Sequence, residues 1–151
     1  MSIKYSSLIP GATVGLYEKK AVVDFLFTHL DQYGDKKEDI EKAIDYAIST
    51  GLHPGGIVIV AEDAEEVVGA VVINKTGMAG YIPENILVYI AVHQKTRGKG
   101  VGKELMQKAI DLTDGNIALH VEKDNPAKFL YEKMGFTNPY LEMRLDKSKL
   151  K

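Results

Sequence analysis

The chain predicts an α/β fold: one domain over residues 1–151, built on a mixed, mostly antiparallel sheet of about six to seven strands with helices on both faces. Three observations carry that expectation. Apolar residues recur at helical spacing in the first third, β-branched runs flank a short polar stretch in the middle, and an apolar run, a glycine-rich turn and another helical stripe then follow in order. A chain of 151 residues can bury one core and is too short for two ordinary ones.

After a short N-terminal segment, Ala21, Val22, Phe25, Leu26 and Leu30 form one helical stripe and Ile40, Ala43, Ile44, Ala47 and Ile48 another, with Gly34-Asp35 between them. Pro54-Gly55-Gly56 ends this pattern. Ile57 to Ala61 and Val67 to Ile73, rich in β-branched residues on either side of polar Glu62 to Glu66, predict a hairpin. The connection Asn74 to Glu84 carries Gly77, Gly80 and Pro83 and is long enough to face a substrate. Ile86 to Val92 is the next strand. Val101, Leu105, Ala109 and Leu112 then share a helix face, and Ile117 to Val121 reads as a strand, so this unit is a right-handed βαβ crossover with parallel pairing. Asn125 and Pro126 open a further helix, and Tyr140 to Leu145 can form a last strand, able to pair with a second copy in a homodimer.

Composition narrows the function. Nineteen basic residues against 21 acidic ones give a formal charge of −2, so no global basic field points to nucleic acid or an anionic membrane. The longest apolar run, Ile86 to Val92, is far below the roughly 20 residues of a membrane span, and no signal-peptide pattern opens the chain. A cytoplasmic protein is expected. The absence of cysteine excludes disulfides, thiolate metal sites and an acyl-cysteine intermediate. His29, His53, His93 and His120 lack the i, i+4 spacing of a helical metal site, so no metal is expected.

The segment Arg97-Gly98-Lys99-Gly100-Val101-Gly102, between a strand and a helix start, has the makings of an anion site. Its glycines let the backbone approach a ligand, and the helix start directs free N–H groups and a positive dipole end at the same point. A Walker A loop fails twice, because Arg97 stands where the first glycine belongs and Glu104 follows Lys103. A dinucleotide fingerprint beginning at Gly98 fails at its third glycine, which is Lys103.

The third pattern, Arg/Gln-x-x-Gly-x-Gly/Ala, is met by Arg97, Gly100 and Gly102. A second segment, Asn125-Pro126-Ala127, Tyr131 and Gly135-Phe136, follows it. In this order the two resemble the signatures of the GNAT superfamily of acyl-CoA-dependent N-acetyltransferases, over Asn85 to Phe136. The alanine of the second signature falls one residue early, at Ala127.

The resemblance implies a GNAT-like sheet and acetyl-CoA as cosubstrate. It implies that Arg97, Gly98, Lys99, Gly100, Val101 and Gly102 hold the CoA pyrophosphate, and that the pantetheine arm lies along Ile90, Ala91 and Val92 as an added strand would. Asn125 is either a polar contact to that arm or a plain helix cap. Tyr131 matches the family tyrosine that protonates the departing thiolate, and its other reading is a core aromatic. A phenol with a reference pKa of about 10 is protonated at neutral pH beside a thiol near about 8.5. The acceptor, a primary amine of a small molecule or peptide, has to lose a proton before it attacks. Glu84, at the start of the strand, is the candidate base, with Glu122 and Tyr89 as rivals. Without cysteine, direct attack in a ternary complex is the economical route. A non-catalytic acyl-CoA sensor is the alternative. Acceptor specificity is expected in the first two helices, in Asn74 to Glu84 and around Asn138 to Tyr140.

Overall fold

The β-branched runs Ile57 to Ala61 and Val67 to Ile73 pair as the predicted hairpin in the computed structural model, which describes residues 2–11 and 15–150. They lie in β2 (Gly56–Asp63) and β3 (Glu66–Lys75). The turn residues Ala64 and Glu65 both take left-handed φ values, 50° and 70°, the combination whose twist matches that of the flanking strands. β1 (Ile3–Leu8) adds to the outer edge of β2, and β4 (Asn85–Val92) pairs with β3; both pairings are antiparallel. β5 (Ile117–Leu119) runs parallel to β4. The strands therefore lie in sequence order in one five-stranded sheet.

Both faces are covered, and side-chain alternation decides by what. Val58, Val60, Ala70 and Val72 meet α1 (Leu16–His29) and α2 (Lys37–Ile48) through Val22, Leu26, Ile40 and Ile44. On the other face Ile59, Ala61, Val71 and Ile73 meet α3 (Val101–Leu112) through Val101, Leu105 and Ala109, and α4 (Ala127–Lys133) through Tyr131. Leu26, Ile40, Ile44, Leu105 and Met106 are fully buried, each burial contributing about 1.5–3 kcal/mol. No helix among the described residues is long and apolar enough to cross a membrane.

The expected six to seven strands are corrected to five among the described residues. Tyr140 to Leu145 has strand-like alternation but forms no strand, and Leu141, Met143 and Leu145 stand 85%, 92% and 66% exposed. β5 is shorter than expected, ending at Leu119 rather than Val121, and so offers little edge for another strand to join. β1, which sequence patterning did not mark, is a polar edge strand with the burial of only Leu8 complete.

Candidate active site

The site begins where β4 and β5 part. They pair over Asn85↔Ile117, Ile86↔Ala118 and Leu87↔Leu119, and no further. The closed end is stapled by buried Asn85, whose Nδ2 donates to the Asp114 carbonyl at 2.6 Å and to that of Asn116 at 3.2 Å. Immediately past it the β3 register jumps from Ile73↔Leu87 to Val72↔Tyr89, which leaves Val88 as an extra, bulged residue. From Val88 to Val92 the side of β4 facing β5 has no partner strand among the described residues, so its backbone groups are open to a ligand. A cleft of about 660 Å³ occupies that gap.

Ile90, Ala91, Val92, Arg97, Gly102, Asn125 and Tyr131 all line the cleft, so it gathers most of the residues singled out from the sequence. At one end lies the glycine loop. A 3-10 turn over Gln94–Thr96 fixes its approach: Thr96 is fully buried and its hydroxyl donates to the His93 carbonyl at 3.0 Å, and His93 Nδ1 accepts from Lys95 N at 3.1 Å. Gly98 and Gly100 both adopt φ +81°, and a Cβ built on either would meet nothing within 4 Å, so this face of the backbone is bare. The first α3 bond runs from Glu104 N to the Gly100 carbonyl, leaving the N–H groups of Val101, Gly102 and Lys103 without intrahelical partners. The Val101 side chain is core, 2% exposed, which leaves its N–H as the part that can meet an anion. Lys99 is exposed beside the loop.

Tyr131 comes from α4. Its side chain is 7% exposed, yet its hydroxyl has no hydrogen-bond partner among the described residues and is not sealed from solvent, so it opens on the cleft. Burial, assisted by the negative charge of Glu122, pushes its pKa up to about 12. It is therefore a protonated donor across the neutral range. The Gly135-Phe136 pair returns the chain onto it: Phe136 N donates to the Tyr131 carbonyl at 3.0 Å, and the rings lie 6.0 Å apart. Asn125 lies just before α4, its Oδ1 accepting at 2.9 Å from the N–H of Ala127, the first residue of the helix, while the residue also borders the cleft. Both readings of Asn125 are compatible with that position.

Glu84 does not join them. Its Oε1 accepts from Asn116 N at 2.7 Å and its Oε2 from Gly80 N at 3.2 Å, and it borders a separate depression with Pro54, Met78 and Asp114. The structure places Glu84, the base expected from sequence, away from the cleft, with both oxygens holding backbone. Those N–H donors hold its pKa below the usual value of 4.5. Because the folded value is the lower one, Glu84 stabilises the fold above about pH 4.5 and loses that contribution as the pH falls through its folded pKa. Glu84→Gln is accordingly expected to flatten the acid limb of a stability–pH curve, measured by denaturant melts at pH 7 and pH 3.5. An unchanged limb would remove Glu84 from this role.

Of the two rivals, Tyr89 is buried and hydrogen-bonded, and burial with its bond to Asp35 raises its pKa well above the usual value, so it is no proton acceptor. Glu122 is exposed and borders the cleft. The end of α1 supplies His29 to the cleft and the connection to α2 supplies Asp31, Tyr33 and Asp35, residues without a sequence motif. His29 lies 4.4 Å from His93 ring to ring, and burial first, then His93, lowers its pKa. The Asn74 to Glu84 connection and Asn138 to Tyr140 do not line the cleft; from the C-terminal segment Arg144 does, paired with Glu142 at 2.6 Å.

A sheet parted beside a bulge thus leaves an unpaired strand edge, with a helix N-terminus at one end of the gap. Residues 54–138 match the family model for the acetyltransferase (GNAT) domain, and the chain belongs to the GNAT acetyltransferases. It is similar to the 5-NmdU N-acetyltransferase of Pseudomonas phage PaMx11, with 34% identity over 91 residues that cover 59% of this chain and 63% of that protein. The match thus spans less than two thirds of the phage protein's length. Among solved structures, a GNAT family acetyltransferase from Streptococcus pneumoniae TIGR4 superposes with a TM-score of 0.69 at 18% identity, over 96% of this chain and 98% of that one. The NatC complex bound to Gag peptide and CoA gives 0.69 at 21% identity, over 91% and 86%. At these identities the structural likeness speaks for the fold.

Proposed function

We propose that residues 1–151 act as one N-acetyltransferase domain that moves acetyl from acetyl-CoA to a primary amine of a small molecule or peptide, by direct attack in a ternary complex. The open edge of β4 over Val88 to Val92, running between Tyr131 and the N-terminus of α3, carries this reading. The pyrophosphate would sit on Arg97, Gly98, Lys99, Gly100 and the N–H groups of Val101 and Gly102, where three unpaired helix N–H groups and the dipole favour negative charge. The pantetheine amides would pair with the backbone of Ile90, Ala91 and Val92, and Asn125 would add an amide contact.

In that scheme the neutral amine attacks the thioester carbonyl, a C–N bond forms and the C–S bond breaks. Tyr131 donates a hydrogen bond, and in the limit its proton, to the leaving sulfur. The amine's proton leaves through the exposed end of the cleft, where Glu122 is available. Most of the acceleration comes from holding the two reactants together.

Calorimetric titration with acetyl-CoA, with ATP and NAD as controls, tests the cosubstrate. Selective binding near micromolar, about −8 kcal/mol, is the expected result, and no binding would overturn the reading. A panel of primary amines, to which 5-NmdU is added because the phage relative's name carries it, then tests for acceptor-dependent release of CoA. Binding without release by any amine would favour a sensor.

A further inference from the structure

One hydrogen-bonded pair on the cleft wall has no part in the scheme above. The extra residue Val88 reverses side-chain parity along β4: Leu87 belongs to the α3 face, whereas Tyr89 and Ala91 belong to the α1/α2 face. Tyr89 is 7% exposed and its hydroxyl donates to Asp35 Oδ2 at 2.6 Å. Asp35 itself is exposed and borders the cleft, and its Oδ1 has no protein partner among the described residues.

The chain is bent to bring it there. Asp31 takes φ 53°, a left-handed value uncommon for non-glycine residues and most accessible to Asp and Asn, which turns the chain sharply after α1. At Gly34 a Cβ would come within 2.8 Å of Leu30 Cβ, so the return past α1 needs glycine. Tyr33 then donates to the Asp124 carbonyl at 3.3 Å, tying this connection to the loop that follows β5. The cleft passes through the sheet, with Tyr131 on the α3/α4 side and the Tyr89–Asp35 pair on the α1/α2 side.

We propose that Asp35 binds the ammonium group of a cationic acceptor: Tyr89 fixes one carboxylate oxygen, and the other faces the incoming amine. The inference rests on the acetyl-transfer reading and adds the residue that takes the acceptor's charge, across the cleft from Tyr131, the hydrogen-bond donor to the leaving sulfur. An amine with a pKa near about 10.4 arrives protonated at neutral pH, so a carboxylate is the natural first contact. A carboxylate held by a buried phenol presents its free oxygen with little rotational loss on binding. Arg144, which also borders the cleft, is engaged with Glu142 and does not neutralise Asp35.

The test uses the full chain saturated with CoA, so that nothing reacts, and titrates benzylamine and neutral benzyl alcohol by NMR. The wild type is expected to prefer benzylamine by about tenfold or more, with the largest shifts at Asp35 and Tyr89, and Asp35→Asn to erase that preference. Tyr89→Phe keeps the charge and loses its support, so the preference falls by at least about twofold but persists. Equal binding of the two probes by the wild type, shifts centred elsewhere, or an unchanged preference in Asp35→Asn overturns the proposal. If Asp35→Asn fails to fold, the wild-type map and Tyr89→Phe decide, and an unchanged preference in Tyr89→Phe counts against it. Acetyl-CoA calorimetry reads separately: its failure sinks the acetyl-transfer reading, whereas acetyl-CoA binding without amine preference sinks only the role of Asp35.

Discussion

Gly100→Glu is expected to reduce acetyl-CoA affinity by at least about 100-fold, roughly 2.7 kcal/mol, while the protein stays folded. Gly100 holds φ +81° at the start of α3, and a side chain there would enter the bare space in front of the helix N-terminus. The left-handed conformation costs a non-glycine residue about 1–2 kcal/mol. A carboxylate at the positive end of a helix recovers about 0.3–1 kcal/mol of that, so the net cost to the fold is small. For the ligand the two effects add, because the carboxylate competes with a phosphate for the same N–H groups and repels it. Calorimetry measures the loss, far-UV circular dichroism confirms the fold, and undiminished affinity would remove the glycine loop from the cosubstrate site.

Tyr131→Phe should lower kcat roughly 10- to 100-fold and leave the acetyl-CoA dissociation constant within about twofold. The substitution removes one hydroxyl from a ring that is 7% exposed and whose packing on Phe136 is retained. That hydroxyl has no partner among the described residues, so its loss breaks no internal hydrogen bond and the melting temperature should hold or rise. An effect on turnover without one on stability or binding is the signature of a contact made as the sulfur departs. Because its pKa lies near 12, Tyr131 remains protonated through pH 10, and an alkaline fall in rate below that has another origin. Steady-state kinetics with an amine from the panel decide the matter, and unchanged kcat would return Tyr131 to the core.

The parts legible in sequence were those set by local pattern. Periodicity marked both helices of the first third and the hairpin, and the order strand, glycine turn, helix located the α3 N-terminus. Elements that exist through pairing were harder. β1 is half polar and owes its conformation to six register partners on β2. The run Tyr140 to Leu145 has better alternation than β1 and is no strand, because alternation records what a segment is able to do, and an available edge decides whether it does. Site residues divide in the same way. Arg97 to Gly102 and Tyr131 carry motifs; Asp35 and Tyr33 reach the cleft through a turn whose course depends on the close approach of Gly34 to Leu30 and on the bond from Tyr33 to the Asp124 carbonyl. Glu84 shows the limit of adjacency, since being next to β4 in sequence fixes neither where its carboxylate points nor what it holds.

The open side of β4 is a strand edge, and exposed edges are where sheets recruit other chains. Here the edge lies inside the sheet, facing the cleft between β4 and the loop that follows β5, and the pairing of Asn85 to Leu87 with β5 closes it at one end. Under the acetyl-transfer proposal, the amides of the pantetheine arm would take up the backbone groups that a strand would otherwise pair with. The fold thereby separates two properties that an outer edge strand couples, and keeps backbone hydrogen bonding available for recognition without inviting self-association at that edge.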